Sequence, residues 1–94
     1  MKNRTIESIM PEALLETVEF QNGVVAGFHM AAKHLAKHEP IIILTESTDW
    51  AKGFNAGIGV RLLREAETPG GGVARSWLKY LKERNFFMKE KKDE

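Results

Sequence analysis

The feature that most constrains the fold is a nine-residue phrase that the chain contains twice. Residues 20–28 (FQNGVVAGF) and residues 50–58 (WAKGFNAGI) share one pattern: an aromatic residue, two variable residues, Gly, two variable residues, Ala, Gly and a large apolar residue. Glycine inside a helix costs about 1 kcal/mol relative to alanine, and close packing is the usual reason for keeping it there. Small residues three and four apart share a helix face and let a second backbone approach. The repeat therefore predicts close contact between two helices.

Apolar residues at three- and four-residue spacing predict three helices. The first runs over residues 11–38, with a break at the turn-forming pair Asn22 and Gly23 as the alternative. The second runs over 48–66, because residues suited to N-capping precede it. The segment 68–72 (TPGGG) ends the second helix and leads into a third over 73–87.

The segments outside these helices are predicted to differ in character. Residues 1–10 are expected to form a flexible arm, and residues 88–94 a charged tail. Pro40 ends the first helix. The β-branched run 41–44 has strand character, but the chain holds no similar run to pair with it. We therefore expect this run to be an extended, buried connector.

Together these elements predict an all-α fold, a three-helix single domain over residues 1–94. The simplest arrangement is an antiparallel helical hairpin whose two glycine faces meet, with the third helix closing its open side. The helix-packing residues are then the aromatic residue and two glycines of each copy: Phe20, Gly23, Gly27, Trp50, Gly53 and Gly57. The alternative is that one glycine face is a seam between two copies of the chain, which would make the protein a homodimer.

Composition limits the compartment and the class of protein. Cysteine is absent, which excludes disulfides and thiolate metal sites and is consistent with a reducing cytoplasm. No apolar run follows Lys2 and Arg4, so the N-terminal residues do not form a secretory signal. The longest aliphatic run, residues 41–44, is far too short to cross a membrane. We expect a cytoplasmic protein with no membrane contact.

The histidines raise the question of a metal site. His34 and His38 are four residues apart on one predicted helix face, a spacing that Zn²⁺ sites use. No third ligand is obvious, although Glu39 and Asp49 are candidates, and the neighbouring lysines make the face cationic. Basic residues at a helix C-terminus also complement its negative end. We favour that interpretation and expect no metal.

Catalysis and cofactor binding have little support in the sequence. The glycines of residues 70–72 precede a helix, whose N-terminus attracts anions, but they lack the Gly-Lys-Ser/Thr ending of a phosphate loop. The glutamates form ordinary helix-surface pairs, and no Ser/His/Asp arrangement is recognisable. We expect a glycine hinge, no cofactor and no enzymatic activity.

Charge is distributed unevenly although the net charge is only +1. Residues 1–22 contain two bases and four acids, whereas residues 73–92 contain seven bases and two acids. Basic residues interleaved with aromatic rings suit RNA, because the charges bind phosphates and the rings stack on bases. The predicted nucleic-acid-binding residues are Arg75, Lys79, Lys82, Arg84, Trp77 and Tyr80, with Arg61 and Arg64 as an extension. The alternative is a solvated basic face with Trp77 in the core.

The repeat also carries a family resemblance. The residues Gly23-Val24-Val25-Ala26-Gly27, Pro40, Leu44 and Trp50-Ala51-Lys52-Gly53-Phe54 occur in an order and spacing that resemble the ribosome modulation factors, which are short bacterial proteins built on two helices. The resemblance covers roughly residues 20–58. It implies binding to the small ribosomal subunit and formation of inactive ribosome dimers. The chain departs from the family in its low net charge and its added N-terminal and C-terminal segments.

Two functional hypotheses follow. The first is a small regulator of translation that binds RNA or the ribosome through a basic C-terminal helix. The second is a dimeric adaptor or inhibitor that binds a partner protein, as accessory proteins of phages and mobile elements do.

Overall fold

The computed structural model describes residues 4–83 as helices joined by turns and one long connector. The elements are α1 (Arg4–Ile9), a 3-10 helix (Pro11–Leu15), α2 (Val18–Lys37), α3 (Asp49–Ala66) and α4 (Gly72–Glu83). No β-strand occurs within residues 4–83. The predicted all-α fold is thus confirmed. The chain divides into two compact units, Met1–Arg61 and Leu62–Glu94.

Most of the expected flexible arm over residues 1–10 is helical, since α1 covers Arg4–Ile9, whereas residues 1–3 lie outside the described residues. Ile6 and Ile9 of α1 are both buried, and they form one apolar cluster with Ala13, Val24 and Phe28. The three-residue spacing of the two isoleucines places them on one side of α1, which packs against the 3-10 helix and α2. The first unit therefore has a core built from α1, the 3-10 helix and α2.

The predicted long helix is interrupted earlier than at Asn22 and Gly23. Thr17 has an extended backbone, and its hydroxyl accepts a hydrogen bond from the backbone N–H of Phe20 at 3.2 Å. Threonine is a favoured N-cap, so α2 begins directly after it. Asn22 and Gly23 lie well inside α2, where Gly23 is buried. The turn propensity of this pair is overridden by packing against α3.

A left-handed residue ends α2. His38 has φ 59°, the only positive φ among the non-glycine residues that the structure describes. Its N–H donates to the carbonyl of Leu35 at 3.3 Å, and the Glu39 N–H donates to that of His34 at 2.8 Å. These two bonds form the Schellman motif, which satisfies carbonyls left open at a helix end.

The glycine faces of α2 and α3 meet within one chain. Each glycine lies so close to a carbonyl of the other helix that a Cβ atom would fall far inside 3.0 Å of the oxygen. The four pairs are Gly23 with Trp50, Gly27 with Phe54, Gly53 with Phe20, and Gly57 with Val24. We call this contact the glycine seam. It occupies both faces, so neither is left open as the seam between two copies that the sequence allowed.

The two helices of the glycine seam run parallel, and the predicted antiparallel hairpin is wrong. Residue numbers rise together along both helices, since Gly23 contacts Trp50 and Gly27 contacts Phe54. The starts of the helices are also adjacent, because the Thr17 hydroxyl donates to the Asp49 carboxylate at 3.0 Å. An antiparallel pair would place the start of α3 beside the end of α2.

The connector over residues 38–48 makes the parallel arrangement possible. It returns beside α3, where the Asn55 side chain holds both backbone groups of Leu44: its Nδ2 donates to the carbonyl at 2.7 Å, and its Oδ1 accepts from the N–H at 3.0 Å. Ile41 is buried, and Thr48 caps α3 by accepting from the Ala51 N–H at 3.1 Å. Eleven extended residues span about 36–40 Å. That reach exceeds the length of α2, which is about 30 Å.

The second unit is built around the turn between α3 and α4. The Arg75 guanidinium donates from Nη1 to the carbonyls of Ala66 at 2.8 Å and Thr68 at 3.3 Å. Gly71 lies against the Glu65 carbonyl so closely that a side chain would not fit. The glycine-rich segment expected to be a hinge is therefore a closed turn, fastened by the first turn of α4.

Candidate binding surfaces on the last helix

One face of α4 is buried. Ala74, Leu78 and Leu81 are buried and share this face at spacings of three and four residues. The remaining circumference of the helix carries two surfaces of different chemistry.

The basic surface of α4 consists of Arg75, Lys79 and Lys82, which line one shallow pocket together with Leu78 and Glu83. Arg75 already binds the two carbonyls at the end of α3. Lys79 lies 4.0 Å from Glu83, and both side chains are exposed. Exposed pairs of this kind contribute little to stability, so Lys79 and Lys82 remain available to a ligand. Arg84, also predicted to bind nucleic acid, lies outside the described residues.

The aromatic surface of α4 consists of Val73, Ser76, Trp77 and Tyr80, which together line a second shallow pocket. The Trp77 and Tyr80 rings meet edge to face, with centroids 5.7 Å apart and planes at 89°. Val73 is 45% exposed and Tyr80 46% exposed. Val73 was not among the residues predicted from the sequence to bind a ligand, although it and the two rings follow the i, i+4, i+7 spacing of one helix face.

The basic and aromatic surfaces lie on opposite flanks of α4. With 3.6 residues per turn, their centres are separated by roughly 140° around the helix axis. Each surface borders the buried face from a different side. The bases and rings that the sequence suggested would form one RNA-binding face are thus not side by side on α4.

The two arginines of α3 lie in different units. The Arg61 guanidinium carbon is 5.1 Å from the centroid of the Phe28 ring, a cation–π contact within the first unit. Arg64 is exposed in the last turn of α3, where a base complements the negative end of the helix.

The predicted helix-packing residues all lie along the glycine seam. The four glycines are buried, whereas Phe20 and Trp50 contribute backbone carbonyls to the seam and keep part of their rings outside it. Trp50 stacks on Phe54 with centroids 5.1 Å apart and planes at 28°. Since backbone atoms fill the seam, its glycines are shielded from any ligand.

The His34 side chain, near the end of α2, contacts a backbone carbonyl and a carboxylate. His34 donates from Nδ1 to the Pro40 carbonyl at 2.6 Å, and its Nε2 lies 3.8 Å from Glu39. Within residues 4–83, no three His, Asp or Glu side chains are grouped so as to hold a metal ion. Of the helices described there, none combines the length and the apolar character needed to cross a membrane.

No protein-family model, no curated protein and no solved structure shows significant similarity to this chain.

Proposed function

We propose that this chain is a non-enzymatic binding module that docks on a partner protein through the aromatic surface of α4. The observation that carries the proposal is the row Val73, Trp77 and Tyr80 at i, i+4 and i+7, in which Val73 and Tyr80 are exposed and Trp77 is half-buried. Amphipathic helices that lie in apolar grooves use anchors at this spacing. Tryptophan and tyrosine are also enriched among the residues that dominate binding energies at interfaces.

The flanks of the row indicate the chemistry of the partner. Lys79 is the base nearest to Tyr80 across the solvent side of α4, and a lysine stem can extend its charge toward a neighbouring surface. The fitting partner is a protein that offers an apolar groove with acidic residues along one edge. Complementary charge at such an edge increases the association rate and selects against wrong partners.

Site-specific photocross-linking in host cells tests this proposal. We expect a photoreactive phenylalanine analogue at position 80 to form a protein adduct of one defined mass. The matched control places the analogue at Leu63, an apolar residue of the same unit that is 52% exposed. Adding Val73→Glu should remove the adduct at position 80. Equal adducts at both positions, or none at position 80, would reject the proposal, and a nuclease-sensitive adduct would favour RNA as the ligand.

A second candidate function is binding to RNA or the ribosome through the basic surface. It is supported by the position of Lys79 and Lys82 on one exposed side of α4, and by the resemblance of residues 20–58 to ribosome modulation factors. If the site makes two or three phosphate contacts with single-stranded RNA, raising the salt from 50 to 200 mM should lower the binding affinity roughly 7- to 20-fold.

Fluorescence anisotropy with a labelled single-stranded RNA measures this salt dependence. The double variant Lys79→Glu, Lys82→Glu should lose binding, whereas the control Lys33→Glu, Lys52→Glu changes the same charge at exposed sites in the first unit. Equal losses in the two double variants would show that binding depends only on net charge and would reject a site on α4.

A further inference from the structure

We propose that the aromatic surface of α4 docks on the first unit of a second copy of the chain, so that copies associate head to tail. This inference rests on the proposed function, because it names the partner of the same surface. It is carried by a second apolar surface in the first unit whose charge is opposite to that of α4.

The second surface lies where the chain passes from the 3-10 helix into α2. Leu14, Leu15 and Val18 are exposed there, and Leu15 reaches 90%. A single exposed leucine is unremarkable, but three exposed apolar residues within five positions concentrate apolar surface in one short segment of the chain. We call these three residues the leucine patch.

The segment that carries the leucine patch is acidic. The glutamates Glu12, Glu16 and Glu19 are all exposed and lie within the same eight residues of chain. Asp49, at the start of α3, is joined to this end of α2 by its 3.0 Å hydrogen bond with Thr17. The patch thus shares the chemistry expected of the partner of α4, apolar side chains with acidic residues nearby.

Charge complementarity favours a second copy over an unrelated occupant. The aromatic surface of α4 is apolar with Lys79 on its solvent side, whereas the leucine patch is apolar with three glutamates nearby in the chain. The net charge of only +1 leaves little long-range repulsion between copies. Since the two surfaces differ, the contact is heterologous, and each copy keeps one surface of each kind for the next copy.

Sedimentation equilibrium of the purified full chain tests the association. The weight-average mass should rise above the monomer mass of 10.6 kDa. The rise should occur between about 5 and 500 µM, the range expected of a small transient interface. Raising the salt from about 50 to 500 mM should lower the mass at a given concentration, because exposed charges are screened. A constant monomer mass at every concentration would overturn the inference.

Two variants, each defective in one of the two surfaces, provide the decisive test. Leu15→Glu disables the leucine patch, and the double variant Val73→Glu, Tyr80→Glu disables α4. Each variant alone should remain monomeric. In an equimolar mixture, the intact α4 of one variant can dock on the intact leucine patch of the other. The resulting 1:1 dimer should grow no further, because its two remaining surfaces are both disabled. The control Leu63→Glu should associate like the parent chain. Circular dichroism of each variant verifies that it is folded.

The outcomes separate this inference from the proposed function. If Leu15→Glu still associates while the α4 variant does not, the head-to-tail contact is overturned and α4 remains a docking surface. If the mixture stays monomeric although the parent chain associates, the head-to-tail contact is also overturned. If position 80 forms no protein adduct in cells, the proposed function itself fails.

Discussion

At the scale of single residues, the close backbone contact in the glycine seam should make the stability of the protein sensitive to one added methyl group. We expect Gly27→Ala to lower the free energy of unfolding by about 2 kcal/mol or more. The methyl group would overlap the backbone carbonyl of Phe54, which cannot move aside as a flexible side chain would. Overpacking typically costs 1–3 kcal/mol, and a rigid backbone neighbour places this site at the upper end; the gain of about 1 kcal/mol in helix propensity does not offset it.

Urea denaturation of Gly27→Ala beside Gly70→Ala checks this prediction. A methyl group added at Gly70 would meet no atom within 4 Å, and Gly70 has no positive φ. Its substitution should therefore be neutral or stabilising by up to about 1 kcal/mol. Similar stability of the two variants would show that the helices of the glycine seam are farther apart than in the structure.

A second prediction at this scale compares the same change, histidine to glycine, at two positions where we expect opposite effects on the free energy of unfolding. His38→Gly should raise the free energy of unfolding by about 1 kcal/mol, because a left-handed backbone strains a side chain and suits glycine. The control His29→Gly, at an exposed position inside α2, should lower it by about 1 kcal/mol. Thermal or urea unfolding decides the signs, and destabilisation by both substitutions would contradict the left-handed cap.

At the scale of elements, the parallel pair explains where the acids lie. Parallel helices bring two positive N-termini to the same end of the first unit, and Glu19 and Asp49 stand in the first turns of α2 and α3. Carboxylates stabilise helix N-termini, typically by 0.3–1 kcal/mol each. The acidic early part of the sequence is therefore also a requirement of the fold, independently of any partner.

The connector depends on one side chain, and this dependence is testable. Asn55→Ala should lower the free energy of unfolding by about 1–3 kcal/mol, because it leaves the N–H and carbonyl of Leu44 without their partner in a partly buried place. The Leu44 amide should then exchange its hydrogen much faster. Asn22→Ala, at an exposed position of α2, is the matched control and should change neither quantity appreciably. An unchanged exchange rate in Asn55→Ala would refute the connector's attachment to α3.

The elements show what the sequence could and could not predict. The helices and the facing glycines follow from periodicity, because spacing determines which residues share a face. The direction of α3 does not follow, because glycines four apart present the same face in either direction. Two signals were present in the sequence: a connector too long for a hairpin, and Ile6 and Ile9 at helical spacing. Likewise, the 100° step per residue already separates Trp77 and Tyr80 from Lys79 and Lys82 around α4.

At the scale of the whole molecule, the length of the connector distinguishes a parallel from an antiparallel chain path. Deleting residues 45–47 should disrupt the first unit. Two Cα–Cα steps would then remain between Leu44 and Asp49, a reach of about 7 Å. The six residues of α3 that separate Asn55 from Asp49 rise about 9 Å, so the shortened connector could not bring Leu44 beside Asn55. An antiparallel hairpin, which needs only a short loop, would tolerate the deletion.

Insertion provides the control for this deletion. Adding Gly-Ser between Glu46 and Ser47, both exposed, lengthens the connector without stretching it and should cost less than about 1 kcal/mol. Denaturation curves of the two variants should therefore differ strongly. Equal tolerance of insertion and deletion would rule out the return path along α3.

The glycine seam has a consequence for the origin of the fold. Each residue of α2 in the seam corresponds to the residue of α3 that is 30 positions later. When corresponding residues are exchanged, every contact of the seam becomes another contact of the seam; for example, Gly23 with Trp50 becomes Gly53 with Phe20. The contact therefore has an approximate two-fold axis parallel to the helices. A single helix carrying one copy of the phrase would have the information to form the same seam with an identical helix. The chain thus has the form expected of an ancestral symmetric pair whose halves were duplicated and fused, with the connector as the added piece.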